Sequence, residues 1–268
     1  MPIEFNVDPK LISKRDFYQL DYKITNLAFL IHNEFGRFWN EKIYQRELTR
    51  RCREAGFENV IAGLPILISY KGFQKCCYID LLIDRAAVYE LKTVNSLNGE
   101  HQRQILNYMF LLGLSHGKLI NLRPSSVEYR FVSTTVTPQD RFQFIIDDAK
   151  WINLDAESEW LRKTIIELLK EWGAYLSTNL FYQAITFFRG GEENVVQNIK
   201  VLSGSEELGY QKMNLLTPKI AFQLSSINKN CAFYGHHLFR LLNHTNLEAI
   251  QWINFCRKRI EFRTIIKT

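Results

Sequence analysis

The sequence has no apolar run long enough to cross a bilayer. Its longest apolar stretches, such as LAFLI and MFLLGL, fall far short of the roughly 20 residues that a transmembrane helix needs. The opening residues, MPIEFNVDPKLISKRD, interrupt every apolar stretch with a charge and offer no small-residue cleavage site, so they do not resemble a secretory signal. We therefore expect a soluble, cytoplasmic protein that has no membrane partner.

Cysteine is scarce, and its spacing matches no known framework. The five residues are an odd set with one adjacent pair and no CxxC motif: Cys52, Cys76, Cys77, Cys231 and Cys256. This pattern argues against both a disulfide scaffold and a zinc cage, and we expect reduced thiols that lie mostly in the core. The absence of HxH and HExxH motifs disfavours a third class, a small-molecule metalloenzyme.

The chain also lacks Pro/Gly-rich and Ser-rich tracts, while 46% of its 268 residues are hydrophobic and 13% are aromatic. This composition is typical of an ordinary globular protein with one large domain or two small ones. A net charge of +6 and a pI near 9.0 suit a polyanionic partner, although many basic proteins have none. Charge therefore favours a nucleic-acid partner only slightly.

Hydrophobic spacing predicts the order α, α, β, β, β, α, β, β in the first half. Apolar residues recur every three or four positions between Arg15 and Gly36, and again from Asn40 to Ala55, where Asn40 is a candidate N-cap. The runs LPILISY, CCYIDLLI and AAVYELKTV predict three strands, and a helix over residues 100–114 precedes the strands GKLINL and VEYRFVSTT.

The second half repeats several of these segments in the same order. YIDLLIDRAAVYELKTV corresponds, with one deletion, to KMNLLTPKIAFQLSSI, and INLRPSSVEYRFVST corresponds to INFCRKRIEFRTI. Chance likeness between amphipathic elements remains the alternative reading. Duplication predicts two similar α/β domains, residues 1–150 and 151–268, that form a pseudo-dimer.

A short hairpin places three charged residues on one predicted face. If residues 84–86 form its loop, Ile83 faces Ala87 and Asp80 faces Glu90 directly. Lys92 then lies on the same face, because strand side chains alternate with period two. A divalent cation between the carboxylates would relieve their repulsion. The alternative is a solvated surface hairpin, but the flanking helices favour a metal site.

Asp80 together with Glu90-Leu91-Lys92 resembles the signature of the PD-(D/E)XK nuclease superfamily. Within it, residues 22–121 are similar to the GxxExxY family, on the basis of GRFWNEKIYQREL, YIDLLI, VYELK and HQRQILNYM. The family glycine is replaced here by Phe38, although Gly36 is present, which affects the entry to the helix that follows.

The resemblance implies a restriction-endonuclease-like αβββαβ core and phosphodiester hydrolysis that depends on Mg²⁺ or Mn²⁺. It implies that Asp80, Glu90 and Glu41 hold the metal, that Lys92 is catalytic, and that Gln104 has a role at the same site. Gln104 and Tyr108 resemble a Q-x-x-x-Y helix motif, and their spacing puts them on one helix face, with Tyr108 as a nucleic-acid contact or as a core residue.

The repeat alignment removes every charge from the corresponding positions of the second half. Glu41, Asp80, Glu90 and Lys92 become Thr178, Asn214, Gln223 and Ser225. We therefore expect a degenerate copy without metal, and one active copy favours single-strand cutting. FCRKRIEFRT interleaves Arg257, Lys258 and Arg259 with Phe255 and Phe262, a mixture that fits nucleic-acid binding or, alternatively, a solvated strand face.

The leading hypothesis is a metal-dependent nuclease, with DNA as the favoured substrate. The alternative is a non-catalytic nucleic-acid-binding or assembly protein that retains the nuclease fold. A homodimer is compatible with both hypotheses, and the residues do not decide between them.

Overall fold

The structure, a computed structural model, describes residues 2–267. The chain divides into two compact units between Pro138 and Gln139. The predicted boundary after residue 150 is therefore displaced, because the strand Ile145–Lys150 pairs with a strand near the C-terminus and belongs to the second unit. Within the described residues, no helix combines the length and apolar character needed to cross a membrane.

The first unit contains three helices and a six-stranded sheet. In chain order its elements are β1 (Ile3–Glu4), α1 (Lys14–Phe35), α2 (Glu41–Glu54), β2 (Val60–Tyr70), β3 (Phe73–Ile83), β4 (Ala87–Lys92), α3 (Gly99–Leu112), β5 (His116–Asn121) and β6 (Glu128–Ser133). The strands lie in the order β1-β2-β3-β4-β5-β6, and β4 pairs with β5 in parallel while the other neighbours are antiparallel. The predicted order of elements is confirmed, with β1 as an addition.

Local signals account for the ends of these elements. Ser13 and Asn40 cap α1 and α2 by accepting backbone N–H bonds from the first turn, and Gly36 ends α1 with a φ of +72°. The loop at residues 84–86 forms as predicted, since Ile83 pairs with Ala87. These signals place the start of α2 and the β3–β4 hairpin, from which the candidate site is built.

The core of the first unit explains which strand faces are apolar. Helices α1 and α2 contribute Phe17, Ile24, Tyr44 and Leu48, and the central strands meet them with Leu81, Tyr89 and Leu91 among others. Since strand side chains alternate, Asp80, Glu90 and Lys92 face away from this cluster. The apolar pattern of β3 and β4 therefore directs the charged residues to the other sheet face.

The second unit has four helices, a 3₁₀ turn and its own six strands. Its elements are a 3₁₀ turn (Asp140–Phe142), β7 (Ile145–Lys150), α4 (Ala156–Trp172), α5 (Thr178–Phe188), α6 (Glu192–Val195), β8 (Val196–Ser203), β9 (Glu206–Thr217), β10 (Ile220–Ser225), α7 (Cys231–Asn243), β11 (Ala249–Cys256) and β12 (Arg259–Ile266). The strand order is β7-β12-β11-β10-β9-β8, in which β10 is parallel to β11 and β12 is parallel to β7. Its core includes Leu215, Leu242 and Trp252.

The two units share a distinctive side-chain arrangement. Asn121 accepts a bond from the Val94 amide, donates to the Val94 carbonyl oxygen and donates to Glu128. Asn254 makes the same three bonds with Ile227 and Glu261. Asn121 lies on β5, which is parallel to β4, and Asn254 lies on β11, which is parallel to β10. Both strands follow the helix in a β-β-β-α-β-β series.

The five cysteines are free thiols, in agreement with the prediction. Their expected burial is wrong for most of them. Cys52 is buried, whereas Cys76 is exposed and the other three are of intermediate exposure. Residues 74–78 of β3 alternate between exposed and intermediate positions, so neither strand face is buried there.

Candidate active site

The β3–β4 ladder opens at the site. Its pairs are Leu81–Tyr89, Leu82–Val88 and Ile83–Ala87, and the predicted direct Asp80–Glu90 pair does not form. Instead, the Leu91 amide donates to Asp80 Oδ2 at 2.9 Å. The Asp80 carboxylate thus takes the place of a backbone carbonyl as acceptor for the Leu91 amide. Strands β3 and β4 separate at this point.

Four charged side chains gather beyond this opening. Lys92 Nζ lies 2.7 Å from Glu90 Oε1 and 3.8 Å from Glu41 Oε2. Asp80, Glu90 and Lys92 are only 7%, 2% and 8% exposed, while the Glu41 side chain is partly accessible at the start of α2. The structure therefore brings together Glu41, Asp80, Glu90 and Lys92, the residues predicted from the sequence. Asp80 and Glu90 do so without pairing directly in the β3–β4 ladder.

Burial and the repulsion between neighbouring carboxylates raise the pKa of these carboxyl groups. Burial, followed by the charge of Asp80, raises the pKa of Glu90 to about 8. Burial is also the main cause of the raised pKa of Asp80 and of Glu41. Burial alone would lower the pKa of Lys92, but the carboxylates of Glu90, Glu41 and Asp80 outweigh it and raise that pKa. Burial and carboxylate repulsion therefore outweigh the nearby Lys92 ammonium group at Glu90, which favours a bound proton or cation there.

One carboxylate oxygen of the cluster is buried without a hydrogen-bond partner. Glu90 Oε2 is inaccessible and has no hydrogen-bond partner. Such an atom carries a desolvation cost that a bound cation would remove. Across residues 2–267 no three His, Cys, Asp or Glu side chains are arranged as a metal cage. Mg²⁺ does not require one, because it binds through one or two carboxylates and keeps several waters, so the oxygen donors fit a hard divalent ion.

Helix α3 lines the site from the other side. Gln104 Nε2 donates to Tyr108 Oη at 3.1 Å, so the two residues share one helix face as their spacing predicts. Tyr108 is buried, and burial followed by the charge of Glu90 raises the pKa of its phenol. Tyr108 therefore lies close enough to Glu90 for their charges to interact, and its hydroxyl group accepts from Gln104.

Two residues at the site escaped the sequence reasoning. Gln45, buried on α2, donates from Nε2 to the Asp80 carbonyl oxygen at 2.5 Å, and Lys42 Nζ donates to Gln45 Oε1. Burial raises the pKa of Asp80 and of Glu41, and the charge of Lys42 offsets a part of that rise. The i, i+4 spacing of Glu41 and Gln45 was the available signal, because it places both on the site-facing side of α2.

Replacing Gln45 by Leu is expected to lower activity about 10-fold while the protein still folds. The Asp80 carbonyl would lose its donor at the point where the ladder opens, at a cost of about 1–3 kcal/mol in stability. Comparing kcat with the melting temperature checks this. Thr49→Ala on the same buried helix face is the control, and a Gln45→Leu enzyme with unchanged kcat would contradict a positioning role.

The histidines near the site are structural. His32 Nε2 bonds the Pro124 carbonyl oxygen, and His101 completes the N-terminal cap of α3 with Asn98. Both histidines therefore bond to backbone groups rather than to the carboxylates of the site.

The corresponding positions in the second unit form a different network. Ser225 Oγ donates to Asn254 and accepts from the Trp252 indole, and the Gln223 amide donates to the Leu224 carbonyl oxygen. Asn214 lies on β9, opposite Val196, and Thr178 begins α5. The Leu224 amide donates to Tyr182 Oη at 2.6 Å, whereas the Leu91 amide donates to a carboxylate.

The basic segment near the C-terminus is a turn rather than a stacking surface. Arg257 and Lys258 are exposed in the turn between β11 and β12, and Arg259 is exposed at the start of β12. Phe255 and Phe262 are buried in the core, so the expected base stacking on these rings is wrong. The Phe255 ring packs 4.7 Å from the Phe181 ring of α5, and the Phe262 ring lies 5.4 Å from the Trp151 ring. Arg259 also forms an ion pair with Asp147 at 2.6 Å, which leaves Arg257 and Lys258 as the more available cations.

The central strands of the first sheet thus separate around buried carboxylates and a lysine. A sequence profile of the PD-(D/E)XK nuclease superfamily matches residues 18–132, which include all of these side chains. Residues 18–132 are therefore similar to a nuclease domain, a class of protein that acts on nucleic acid.

The crystal structure of SSO0001 is 18% identical to this chain, covers 48% of it and 68% of its own length, and superposes with a TM-score of 0.29. None of the curated proteins compared with the chain matches it.

Proposed function

We propose that the first unit is a divalent-metal-dependent nuclease of the GxxExxY type, with DNA as its favoured substrate. The observation that carries this proposal is the buried cluster of Asp80, Glu90 and Lys92 with its unsatisfied Glu90 oxygen. A purely structural cluster would leave that cost uncompensated.

Asp80 and Glu90 would hold the metal ion, and Glu41 would join them directly or through water. When bound, Mg²⁺ or Mn²⁺ would lower the pKa of a water molecule and neutralise charge on the scissile phosphate. The Leu91 amide and Gln45 hold Asp80 in place. Lys92 would orient the attacking water or stabilise the charge that develops at phosphorus, and the Gln104–Tyr108 pair closes the site.

A cleavage assay tests this proposal. Labelled single-stranded, nicked and branched DNA, with matched RNA, is incubated with Mn²⁺, with Mg²⁺ or with EDTA. We expect metal-dependent products whose sizes separate endonuclease from exonuclease action. If no substrate is cut and calorimetry detects no Mn²⁺ binding, the non-catalytic nucleic-acid-binding alternative replaces the nuclease.

We also propose that the second unit is a degenerate copy of the first. The shared β-β-β-α-β-β order with one parallel pair and the matching Asn121 and Asn254 networks support this. The Tyr182 hydroxyl takes the hydrogen-bonding role of the Asp80 carboxylate, so the ladder can open without an acid. This unit therefore offers little to attract a divalent cation.

A nucleic-acid contact in this copy would use the β11–β12 turn. The double variant Arg257→Ala/Lys258→Ala is expected to lower the slope of log affinity against log salt by about 1.4, since each phosphate contact on a single strand contributes about 0.7. Lys219→Ala removes an exposed cation at the opposite end of β10 and should affect affinity much less. Fluorescence anisotropy at several salt concentrations measures both, and identical slopes would exclude the turn.

A further inference from the structure

An exposed aromatic loop leads directly into the candidate site. Phe38 is 76% exposed and Trp39 is 46% exposed, although large aromatic side chains generally favour the interior. Both precede Glu41, the carboxylate that lies 3.8 Å from Lys92 Nζ. Three residues span at most about 11 Å, so the Phe38 backbone lies within roughly one or two nucleotides of the carboxylate cluster.

This loop is held in place rather than loosely tethered. The buried Tyr44 hydroxyl donates to the Gly36 carbonyl oxygen at 2.7 Å, and the Trp39 indole donates to the Phe35 carbonyl oxygen at 2.8 Å. Asn40 then caps α2. Because its neighbours are fixed, Phe38 presents its ring to solvent with little further ordering needed on binding.

Cations surround the exposed ring. The Arg37 guanidinium lies 5.2 Å from the centre of the Phe38 ring. Lys42 and Arg46 are exposed one turn apart on α2, immediately beyond Glu41. Aromatic rings beside cations suit a strand whose bases are free to stack while its phosphates are neutralised. Neither an apolar partner nor a free anion would use both features.

We propose that Phe38 stacks on an unpaired base next to the scissile phosphate, while Lys42 and Arg46 contact neighbouring phosphates, so that the site prefers single-stranded nucleic acid. This inference rests on the proposed nuclease function and specifies its substrate class. Because every base has a stacking face, the preference is for an unpaired strand and not for a sequence. Phe38 stands at the position where the resemblance places the family glycine.

Binding without cleavage tests the inference. In the 268-residue chain carrying Asp80→Asn, anisotropy compares a labelled single strand of about 15 nucleotides with a hairpin duplex. Adding Phe38→Ala should weaken single-strand binding about 10-fold and change duplex binding less than about 2-fold. Phe38→Trp should restore single-strand binding, and Arg46→Ala should lower the salt slope by about 0.7.

A stacking readout separates contact from a general effect on the fold. The fluorescence of 2-aminopurine placed in the single strand should be quenched by the parent and recover with Phe38→Ala. Tyr22→Ala, which removes an equally exposed ring from α1, is the matched control and should change nothing. Melting temperatures verify that each variant folds.

The outcomes also separate this inference from the function beneath it. If the wild type cleaves DNA but Phe38→Ala keeps full single-strand affinity and quenching, stacking is wrong and the nuclease stands. Equal losses on duplex and single strand would likewise overturn the preference. If the wild type neither binds nor cleaves any nucleic acid, the proposed function itself fails.

Discussion

Asp80→Asn is expected to reduce metal-dependent cleavage at least about 10³-fold while leaving the fold and nucleic-acid binding intact. Asparagine keeps an oxygen that accepts the Leu91 amide bond, so the open ladder is preserved. It loses the negative charge that would attract a divalent cation. Asp80→Ala is a poorer test, because it also leaves a buried amide without an acceptor.

Single-turnover cleavage with Mn²⁺, calorimetric metal titration and anisotropy together check this result. Asn214→Ala, at the corresponding position of the second unit, is the matched control and should retain full cleavage. An Asp80→Asn protein that cuts within 10-fold of the wild type would place the chemistry elsewhere.

Glu90→Gln is expected to abolish cleavage and yet stabilise the metal-free protein at alkaline pH. The pKa of Glu90 rises from 4.5 to about 8 in the folded chain because the ionised carboxylate is buried beside Asp80. Between these values the native state binds more protons than the unfolded state, so the stabilising effect present below pH 4.5 is lost as pH rises through 8. The neutral amide of glutamine does not titrate and escapes this loss.

Thermal unfolding in EDTA at pH 5 and pH 9 measures the difference. At pH 5 the two proteins should melt within a few degrees of each other, whereas at pH 9 the variant should melt at least about 5 °C higher, because one pKa unit corresponds to about 1.4 kcal/mol. Gln223→Ala in the second unit supplies the control without a titrating group. If the advantage of Glu90→Gln were equal at both pH values, ionisation of Glu90 would not be its cause.

Both variants are expected to lose activity while the metal-free fold is kept or stabilised, so the acidic side chains serve function at a cost in stability. A buried carboxylate with an unsatisfied oxygen weakens the free protein, and a metal ion would recover that loss on binding. In the second unit the repeat alignment matches Glu90 to Gln223, a neutral residue whose side-chain amide donates to the Leu224 carbonyl oxygen.

Much of the site could be predicted because it depends on local spacing. The loop at residues 84–86 sets the register of Ile83 and Ala87, and alternation then directs Glu90 and Lys92 to one face. The helix motif of Gln104 and Tyr108 follows from i, i+4 geometry. Errors arose where a long-range contact decided the outcome: the burial of Phe255 and Phe262, and the pairing of β7 with β12.

By itself, the sequence determined the order of α1 to β6 in the first unit, the β3–β4 hairpin and the charged residues on it, because caps, turns and period-two alternation act between near neighbours. Only the tertiary structure decided that β3 and β4 separate at Asp80, that Gln45 reaches the Asp80 carbonyl across 35 residues, and that Glu90 keeps an oxygen without a partner. These features come from packing helices against the sheet, which sets burial and hydrogen-bond partners between residues far apart in the chain.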